Sequence, residues 1–185
     1  MIAGKFRSRP LKEPGALKIR PTSDRLRETL FNVLGPAVED SLFFDLYAGT
    51  GAIGIEAISR GAREVIFVES HPKTVRLIRE NLAALGLNGG AEVLGAIAQY
   101  GLEKLASRHL LADFIFLDPP YNTPDEYTKT LEFLDASHLL APEGLVIAEH
   151  LRKLGLPERF VRLERTRLLE QGDAALSFYR LAAAA

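Results

Sequence analysis

The sequence predicts an α/β fold in which a mostly parallel, doubly wound sheet carries helices on its faces. Short apolar runs that are rich in β-branched and aromatic residues alternate along the chain with longer amphipathic runs, which is typical of consecutive βαβ units. The 185 residues are 47% hydrophobic and 25% charged, as in an ordinary globular chain that folds without a metal or disulfide. We therefore predict a single domain over residues 1–185, with residues 1–22 as a basic N-terminal extension.

The first predicted helix follows residue 22. Apolar residues recur at helical spacing from Leu26 to Leu34, Ser23 or Asp24 can cap the first turn, and Gly35 with Pro36 ends the helix.

The elements of the sheet follow in order. Strands are predicted at residues 42–47, 65–69, 91–94, 114–118 and 145–149, and helices at residues 53–59, 72–85, 100–107 and 125–136. The tail, at residues 159–167 and 174–181, predicts an antiparallel hairpin around a Gly172-Asp173 turn.

Basic residues are concentrated at the N-terminus. Residues 1–27 carry eight basic and two acidic side chains, a net charge of +6, so the remaining chain is near -7 in a protein of net charge -1. Such a segment can neutralise phosphates and release their counterions, although it could also be a solvated leader. The candidate contacts to a nucleic acid are Lys5, Arg7, Arg9, Arg20 and Thr22.

The composition excludes several kinds of site. Cysteine is absent, which removes disulfides, thiolate zinc sites and cysteine nucleophiles. The four histidines are scattered without ligand spacing, so we predict no metal. No apolar run approaches the roughly 18 residues of a membrane-spanning helix, and the first residues lack a signal-peptide core. We expect a cytoplasmic monomer without a membrane partner.

A glycine motif follows the first predicted strand. Gly49, Gly51 and Gly54 fit G-x-G-x-x-G, in which glycines let the backbone turn tightly and approach a nucleotide. Glu69 ends the next predicted strand, where a carboxylate can accept hydrogen bonds from both hydroxyls of a ribose. These features predict an adenosine cofactor, either a dinucleotide or S-adenosylmethionine.

Asp45 favours the second of these cofactors. It lies four residues before the glycine turn, where a carboxylate suits the cationic amino group of a methionine moiety and disfavours a pyrophosphate. Tyr47, which closes the strand, is a further candidate contact to the cofactor.

A second motif, Asp118-Pro119-Pro120-Tyr121, follows the apolar run at residues 114–117. The exocyclic amine of a base is a poor nucleophile because its lone pair is delocalised into the ring. The carboxylate of Asp118 and a main-chain carbonyl of the Pro-Pro segment can each accept one N–H and localise that pair. The prolines fix the backbone, and Tyr121 offers a face on which an extruded base can stack. These four residues are the predicted catalytic residues.

With these motifs the sequence resembles the amino-methyltransferases that carry a D/N-P-P-Y/F motif. Among them it is similar to the RsmD family, which methylates guanine N2 in 16S ribosomal RNA, over nearly the whole chain, including residues 2–7, 20–32 and 172–173. The resemblance implies a Rossmann-like, seven-stranded methyltransferase sheet, mostly parallel with a C-terminal antiparallel hairpin. It also implies S-adenosylmethionine as donor and 16S ribosomal RNA in the small subunit or its assembly intermediate as substrate.

One position departs from the family pattern. Ile97 stands where the family usually has the acid of a Gly-Asp-Ala turn that faces the adenine amino group. The resemblance therefore implies that adenine is held here by backbone groups and apolar contact, with Ile97 among the candidate cofactor contacts.

Three other functions remain open on the sequence alone. An adenine-N6 methyltransferase of DNA or RNA would use the same Asp118 motif, but the chain has no room for a separate target-recognition domain. A nicotinamide-dependent oxidoreductase would explain the glycines but not Asp118 to Tyr121. The chain could also be a non-catalytic RNA-binding protein of ribosome assembly, in which case replacing Asp118 would change no biochemical activity.

Overall fold

The computed structural model describes residues 1–12, 23–87 and 89–183. Its α-helices are α1 (Asp24–Leu34), α2 (Ala52–Ser59), α3 (Pro72–Ala84), α4 (Ala98–Ala106) and α5 (Asp125–Ala136), with short 3-10 helices at Gly4–Phe6 and Gly35–Val38. Its strands are β1 (Leu42–Leu46), β2 (Glu64–Glu69), β3 (Ala91–Gly95), β4 (Ala112–Leu117), β5 (Leu140–Leu151), β6 (Leu163–Gln171) and β7 (Ala174–Leu181).

The strands form a seven-stranded sheet of order β3-β2-β1-β4-β5-β7-β6. β1 pairs with β2, β2 with β3, and β4 with β5 in parallel, whereas β7 pairs antiparallel with both β5 and β6. The predicted mostly parallel sheet with a C-terminal antiparallel hairpin is thus confirmed. The chain divides into two compact units, Met1–Ile97 and Ala98–Ala185, each with most of its residue contacts inside itself. Its description as a single domain therefore stays a prediction.

In the first unit, α1 begins and ends where its sequence predicts. The Ser23 hydroxyl accepts a hydrogen bond from the backbone N–H of Leu26, which caps the first turn. Gly35 follows the last helical residue with a φ of 57°, a conformation that glycine adopts without steric cost.

The helix after the glycine motif packs closely on the sheet. A Cβ atom added to Gly54 in α2 would lie 2.3 Å from Cε1 of Phe67 and 2.8 Å from Cγ1 of Val65, both in β2. Because no side chain larger than hydrogen fits there, the third glycine of the motif serves helix-to-strand packing.

The N-terminal segment, residues 1–12, is docked on the first unit. The backbone N–H groups of Ile2 and Ala3 donate to the two carboxylate oxygens of the buried Glu56 at 2.9 and 3.0 Å. Ser59 accepts from the N–H of Phe6 at 2.9 Å and donates to the carbonyl of Ala3 at 2.6 Å. The described part of the predicted extension is therefore fixed to α2.

The end of this segment is fixed to α3 by the buried side chain of Asn81. Its oxygen accepts from the N–H of Lys12 at 2.8 Å, and its amide nitrogen lies 3.3 Å from the carbonyl oxygen of Thr50 in the glycine turn. Residues 1–12 and the glycine turn thus share one anchoring side chain.

The second unit contains one correction to the predicted elements. We predicted the first tail strand at residues 159–167, but β6 begins at Leu163. The carboxylate of Asp135 accepts hydrogen bonds from the backbone N–H groups of Val161, Arg162 and Leu163, so the chain before Leu163 lies in a connecting loop. The turn at Gly172 and Asp173 is found as predicted and sets the register of the hairpin.

β5 also begins earlier than predicted, at Leu140 instead of residue 145, because Leu140 pairs with Ala112 ahead of a register shift. β6 ends later than predicted, at Gln171 instead of residue 167. The remaining predicted boundaries agree within two residues. Across residues 1–12, 23–87 and 89–183, no helix is long and apolar enough to cross a membrane, and no group of three or more acidic or histidine side chains could hold a metal ion.

Candidate functional site

The turn after β1 has an unusual backbone. Tyr47, Gly49 and Gly51 have φ angles of 58°, 55° and 78°. Glycine adopts the left-handed conformation freely, whereas for Tyr47 it costs on the order of 1–2 kcal/mol. The N–H of Gly51 closes the turn by donating to the carbonyl of Ala48 at 2.8 Å. The turn thus places strain on one of the predicted cofactor contacts.

The carboxylate of Glu69, at the end of β2, holds this turn. One oxygen accepts from the N–H of Gly49 at 2.9 Å and the other from the N–H of His71 at 2.7 Å. Each carboxylate oxygen can accept a second hydrogen bond, and the side chain is only half-buried. Glu69 can therefore shape the glycine turn and bind two hydroxyl groups of a ligand at the same time.

Asp45 lies in the interior, with 1% of its surface exposed. Its carboxylate accepts a hydrogen bond from the backbone N–H of Gly54 at 2.9 Å. Burial raises the pKa of Asp45 to about 8; the Gly54 hydrogen bond opposes this rise, and the negative charge of Glu69 adds to it. A cation bound close to Asp45 would favour its charged form. The turn thus fits a ligand that carries a positive charge and neighbouring hydroxyls.

Ile97 follows β3 and is 62% exposed. The preceding residue, Ala96, is fixed by a hydrogen bond from its N–H to the carbonyl of Glu69 at 3.0 Å. An exposed aliphatic side chain at this position can pack on the face of a flat ring but offers no acceptor to an amino group.

In the second unit, the loop Asp118 to Tyr121 directly follows β4. Asp118 and Tyr121 are half-buried, Pro119 is buried and Pro120 is exposed. The Pro120 carbonyl accepts two hydrogen bonds from Thr123, from its N–H at 2.9 Å and from its hydroxyl at 2.7 Å. Both acceptor positions of this carbonyl are therefore used within the loop.

The Pro119 carbonyl is in a different situation. Its oxygen lies 3.3 Å from the hydroxyl of Tyr127, and that hydroxyl makes a shorter hydrogen bond, 2.9 Å, to the carbonyl of Glu149. A single long contact leaves Pro119 able to accept a further hydrogen bond. Of the two prolyl carbonyls, Pro119 is thus the one that can bind an amine.

The predicted residues fall into three groups in the structure. The turn after β1 collects Asp45, Tyr47, Gly49, Gly51 and Glu69, and the loop after β4 holds Asp118 to Tyr121. Lys5, Arg7 and Arg9 are exposed on the docked N-terminal segment, where Lys5 and Arg9 each lie 5.8 Å from the centre of the Phe6 ring. Arg20 and Thr22 lie outside the described residues.

Sequence reasoning missed several residues that hold these groups in place. Thr123 could have been found, because a threonine after Pro-Pro is a common turn residue that bonds its own backbone. Tyr127, Glu56 and Asn81 gave no local signal, since their partners lie 22, 54 and 69 residues away along the chain.

Comparison with known proteins gives a consistent picture. The family model described as conserved hypothetical protein 95 matches residues 1–180. The Bacillus subtilis protein YlbH is 35% identical, with 97% of each chain covered. The Escherichia coli K12 protein named ribosomal RNA small subunit methyltransferase D is 36% identical over 85% of this chain and 77% of its own. Among solved structures, the Thermus thermophilus hypothetical protein TTHA0928 superposes with a TM-score of 0.83 at 31% identity, covering 97% of each chain.

Proposed function

The chain belongs to the family described as conserved hypothetical protein 95, and on this premise we propose that it transfers a methyl group from S-adenosylmethionine to the exocyclic N2 amine of a guanine in bacterial small-subunit ribosomal RNA. The observation that carries the proposal is the loop after β4, in which the half-buried Asp118 directly precedes Pro119, whose carbonyl has one long contact; together they would supply two acceptors to one amine. The name of the Escherichia coli relative supports ribosomal RNA as the substrate. Guanine N2 rests on the resemblance to the RsmD family.

The residues of the glycine turn suit S-adenosylmethionine. Glu69 would accept the two ribose hydroxyls, and Gly49 and Gly51 would let the backbone approach the ligand. The buried charge of Asp45 would be stabilised by the cationic amino group of the methionine moiety. Ile97 would pack on the adenine ring. When bound, the cofactor supplies an electrophilic methyl group on its sulfonium.

The loop after β4 would prepare the target amine. A guanine N2 amine has two N–H bonds, of which Asp118 would accept one and the Pro119 carbonyl the other. Holding both N–H groups out of the ring plane directs the nitrogen lone pair away from the ring, which favours the transition state over the ground state. Pro119 and Pro120 fix the backbone of the acceptor, and Tyr121 would stack on the extruded base, worth about 1–3 kcal/mol.

The N-terminal segment would bind the RNA backbone. Lys5, Arg7 and Arg9 are exposed on a segment that is already fixed to α2, so little order has to be gained when phosphates bind. Arg20 and Thr22, which lie outside the described residues, are proposed as further RNA contacts from the sequence alone. The partner would be 16S ribosomal RNA in the small subunit or its assembly intermediate, in the bacterial cytoplasm, with the enzyme acting as a monomer.

The proposal is tested by radiolabelled methyl transfer. Wild-type protein is incubated with labelled S-adenosylmethionine and, in parallel, with small ribosomal subunits lacking the modification, naked 16S RNA, duplex DNA and no nucleic acid. The RNA is then digested and its nucleosides are separated. We expect the label in N2-methylguanosine from subunits or RNA. Label in N6-methyladenosine or in DNA would overturn the proposed substrate. Absence of label with retained RNA binding would indicate a non-catalytic assembly protein.

A further inference from the structure

The first turn of α5 contributes a buried tyrosine to the loop after β4. Tyr127 is fully buried, and its ring lies nearly perpendicular to the His150 ring, at a centroid distance of 6.4 Å and an interplanar angle of 81°. Its hydroxyl lies 2.9 Å from the carbonyl oxygen of Glu149 and 3.3 Å from that of Pro119. One side chain thus contacts the main chain near the carboxyl ends of both β4 and β5.

The Pro-Pro segment cannot donate a backbone hydrogen bond, since neither Pro119 nor Pro120 has an N–H. Each of their carbonyls instead meets a side-chain hydroxyl. Thr123 donates to Pro120 at 2.7 Å, and Tyr127 contacts Pro119. The two hydroxyls therefore have different effects on their carbonyls. Thr123 uses the acceptor positions of the Pro120 carbonyl. Tyr127 makes its shorter hydrogen bond to Glu149, so the Pro119 carbonyl can accept another donor.

We propose that Tyr127 is a positioning residue for methyl transfer, because its single hydroxyl proton is shared between the Glu149 carbonyl and, more weakly, the Pro119 carbonyl that accepts one N–H of the target amine. This inference rests on the proposed function. An acceptor that is held in place before the base arrives costs no reorganisation during the reaction. The role differs from that of Asp118, because Tyr127 acts on the amine only through the Pro119 carbonyl.

The test compares Tyr127→Phe with Tyr179→Phe. Tyr179 is a matched control, since it is also buried and its hydroxyl donates to a prolyl carbonyl, that of Pro157, at 2.9 Å. For each variant we would measure the single-turnover rate of methyl transfer at saturating RNA and cofactor, the KM for RNA and the Kd for S-adenosylmethionine. Hydrogen exchange of the backbone N–H groups of residues 121–123 reports the order of the loop independently of activity.

We expect Tyr127→Phe to lower the single-turnover rate about tenfold, with KM and Kd changed by less than about twofold, because the loss affects a transition-state contact. Residues 121–123 should exchange faster, and Tyr179→Phe should behave as wild type in every measurement. A wild-type rate in Tyr127→Phe, or equal losses in both variants, would overturn the inference.

The hydrogen-exchange measurement separates this inference from the proposed function. If the wild-type protein methylates no nucleic acid, the proposed function fails and so does the role of Tyr127 in methyl transfer. Faster exchange at residues 121–123 would then still assign Tyr127 to ordering of the loop. If the wild-type protein methylates RNA and Tyr127→Phe keeps both the rate and the exchange pattern, only the inference about Tyr127 fails.

Discussion

The carboxylate of Asp45 at the end of β1 accepts a hydrogen bond from the backbone N–H of Gly54 in α2, at 2.9 Å. This bond spans the glycine turn and joins its two flanking elements before any ligand is bound. Asp45 therefore has a structural contact as well as the proposed role towards the cofactor. The structural contribution can be measured separately, from the pH dependence of stability without cofactor.

Replacing Asp45 should change how stability depends on pH. Burial raises the pKa of Asp45 from 3.8 to about 8, so the folded state holds this proton more tightly than the unfolded state. The contribution of Asp45 is fully favourable below pH 4 and is lost as pH rises towards 8. Asp45→Asn does not titrate, so we expect its stability relative to wild type to grow between pH 5 and 8, by roughly 1 kcal/mol or a few degrees in Tm for each pH unit.

The measurement is thermal unfolding of both proteins at several pH values, with Asp125→Asn as the control because Asp125 is exposed in the first turn of α5. A difference in Tm between Asp45→Asn and wild type that stays constant from pH 5 to 8 would argue against a raised pKa. If Asp45 also binds the cofactor, the more stable variant should bind S-adenosylmethionine more weakly.

Adding one methyl group at the third motif glycine should destabilise the first unit. The Cβ atom of Gly54→Ala would lie 2.3 Å from Phe67, and backbone or core must move to accept it. We expect a loss of about 1–3 kcal/mol in the free energy of unfolding, measured by urea denaturation. Gly155→Ala is the control, since a Cβ atom there has no neighbour within 4 Å. Equal stability of the two variants would contradict the close packing.

Asp118 should be required for methyl transfer and not for cofactor binding. Asp118→Ala removes one of two acceptors for the amine, and we expect the rate to fall by about 10²–10³-fold while the Kd for S-adenosylmethionine stays near wild type. Asp118→Asn keeps one oxygen acceptor and should retain part of the activity. The exposed Asp125→Asn should be fully active. A fully active Asp118→Ala variant would support the non-catalytic alternative.

The basic N-terminal segment should contribute a salt-dependent part of RNA binding. Arg7→Ala removes one exposed cation, and the slope of log Kd against log salt should decrease in magnitude by about 0.7–0.9 if Arg7 contacts one phosphate. The control is Lys129→Ala, an exposed cation that pairs with Glu126 on α5. The measurement is RNA binding over a range of salt concentrations. An unchanged slope for Arg7→Ala would show that Arg7 contacts no phosphate of the RNA.

The sequence predicted elements whose causes are local. Ser23 caps α1, Gly35 ends it, and the α5 boundaries were found as predicted. The Gly172-Asp173 turn also appears where predicted, because a two-residue turn of this kind needs only its own residues. The glycine motif and Asp118 to Tyr121 likewise follow strands as their short motifs predicted, while the roles of these residues stay predictions.

The sequence failed where the cause was distant along the chain. The alternation around Phe160 and Val161 looked like a strand, yet Val161 is 88% exposed, because the carboxylate of Asp135 binds the neighbouring backbone N–H groups. The docking of residues 1–6 on α2 was missed for the same reason. Glu56 accepts backbone N–H groups from residues 53 and 54 positions earlier in the chain, and no local sequence pattern predicts such a contact.

The docking of residues 1–12 also constrains the order of events during synthesis. These residues are made before their partners Glu56, Ser59 and Asn81. At typical rates of translation the segment waits on the order of several seconds before Asn81 exists. Throughout that time its basic side chains are carried by a chain without its final structure, and residues 1–12 are fully docked only after both α2 and α3 have been made.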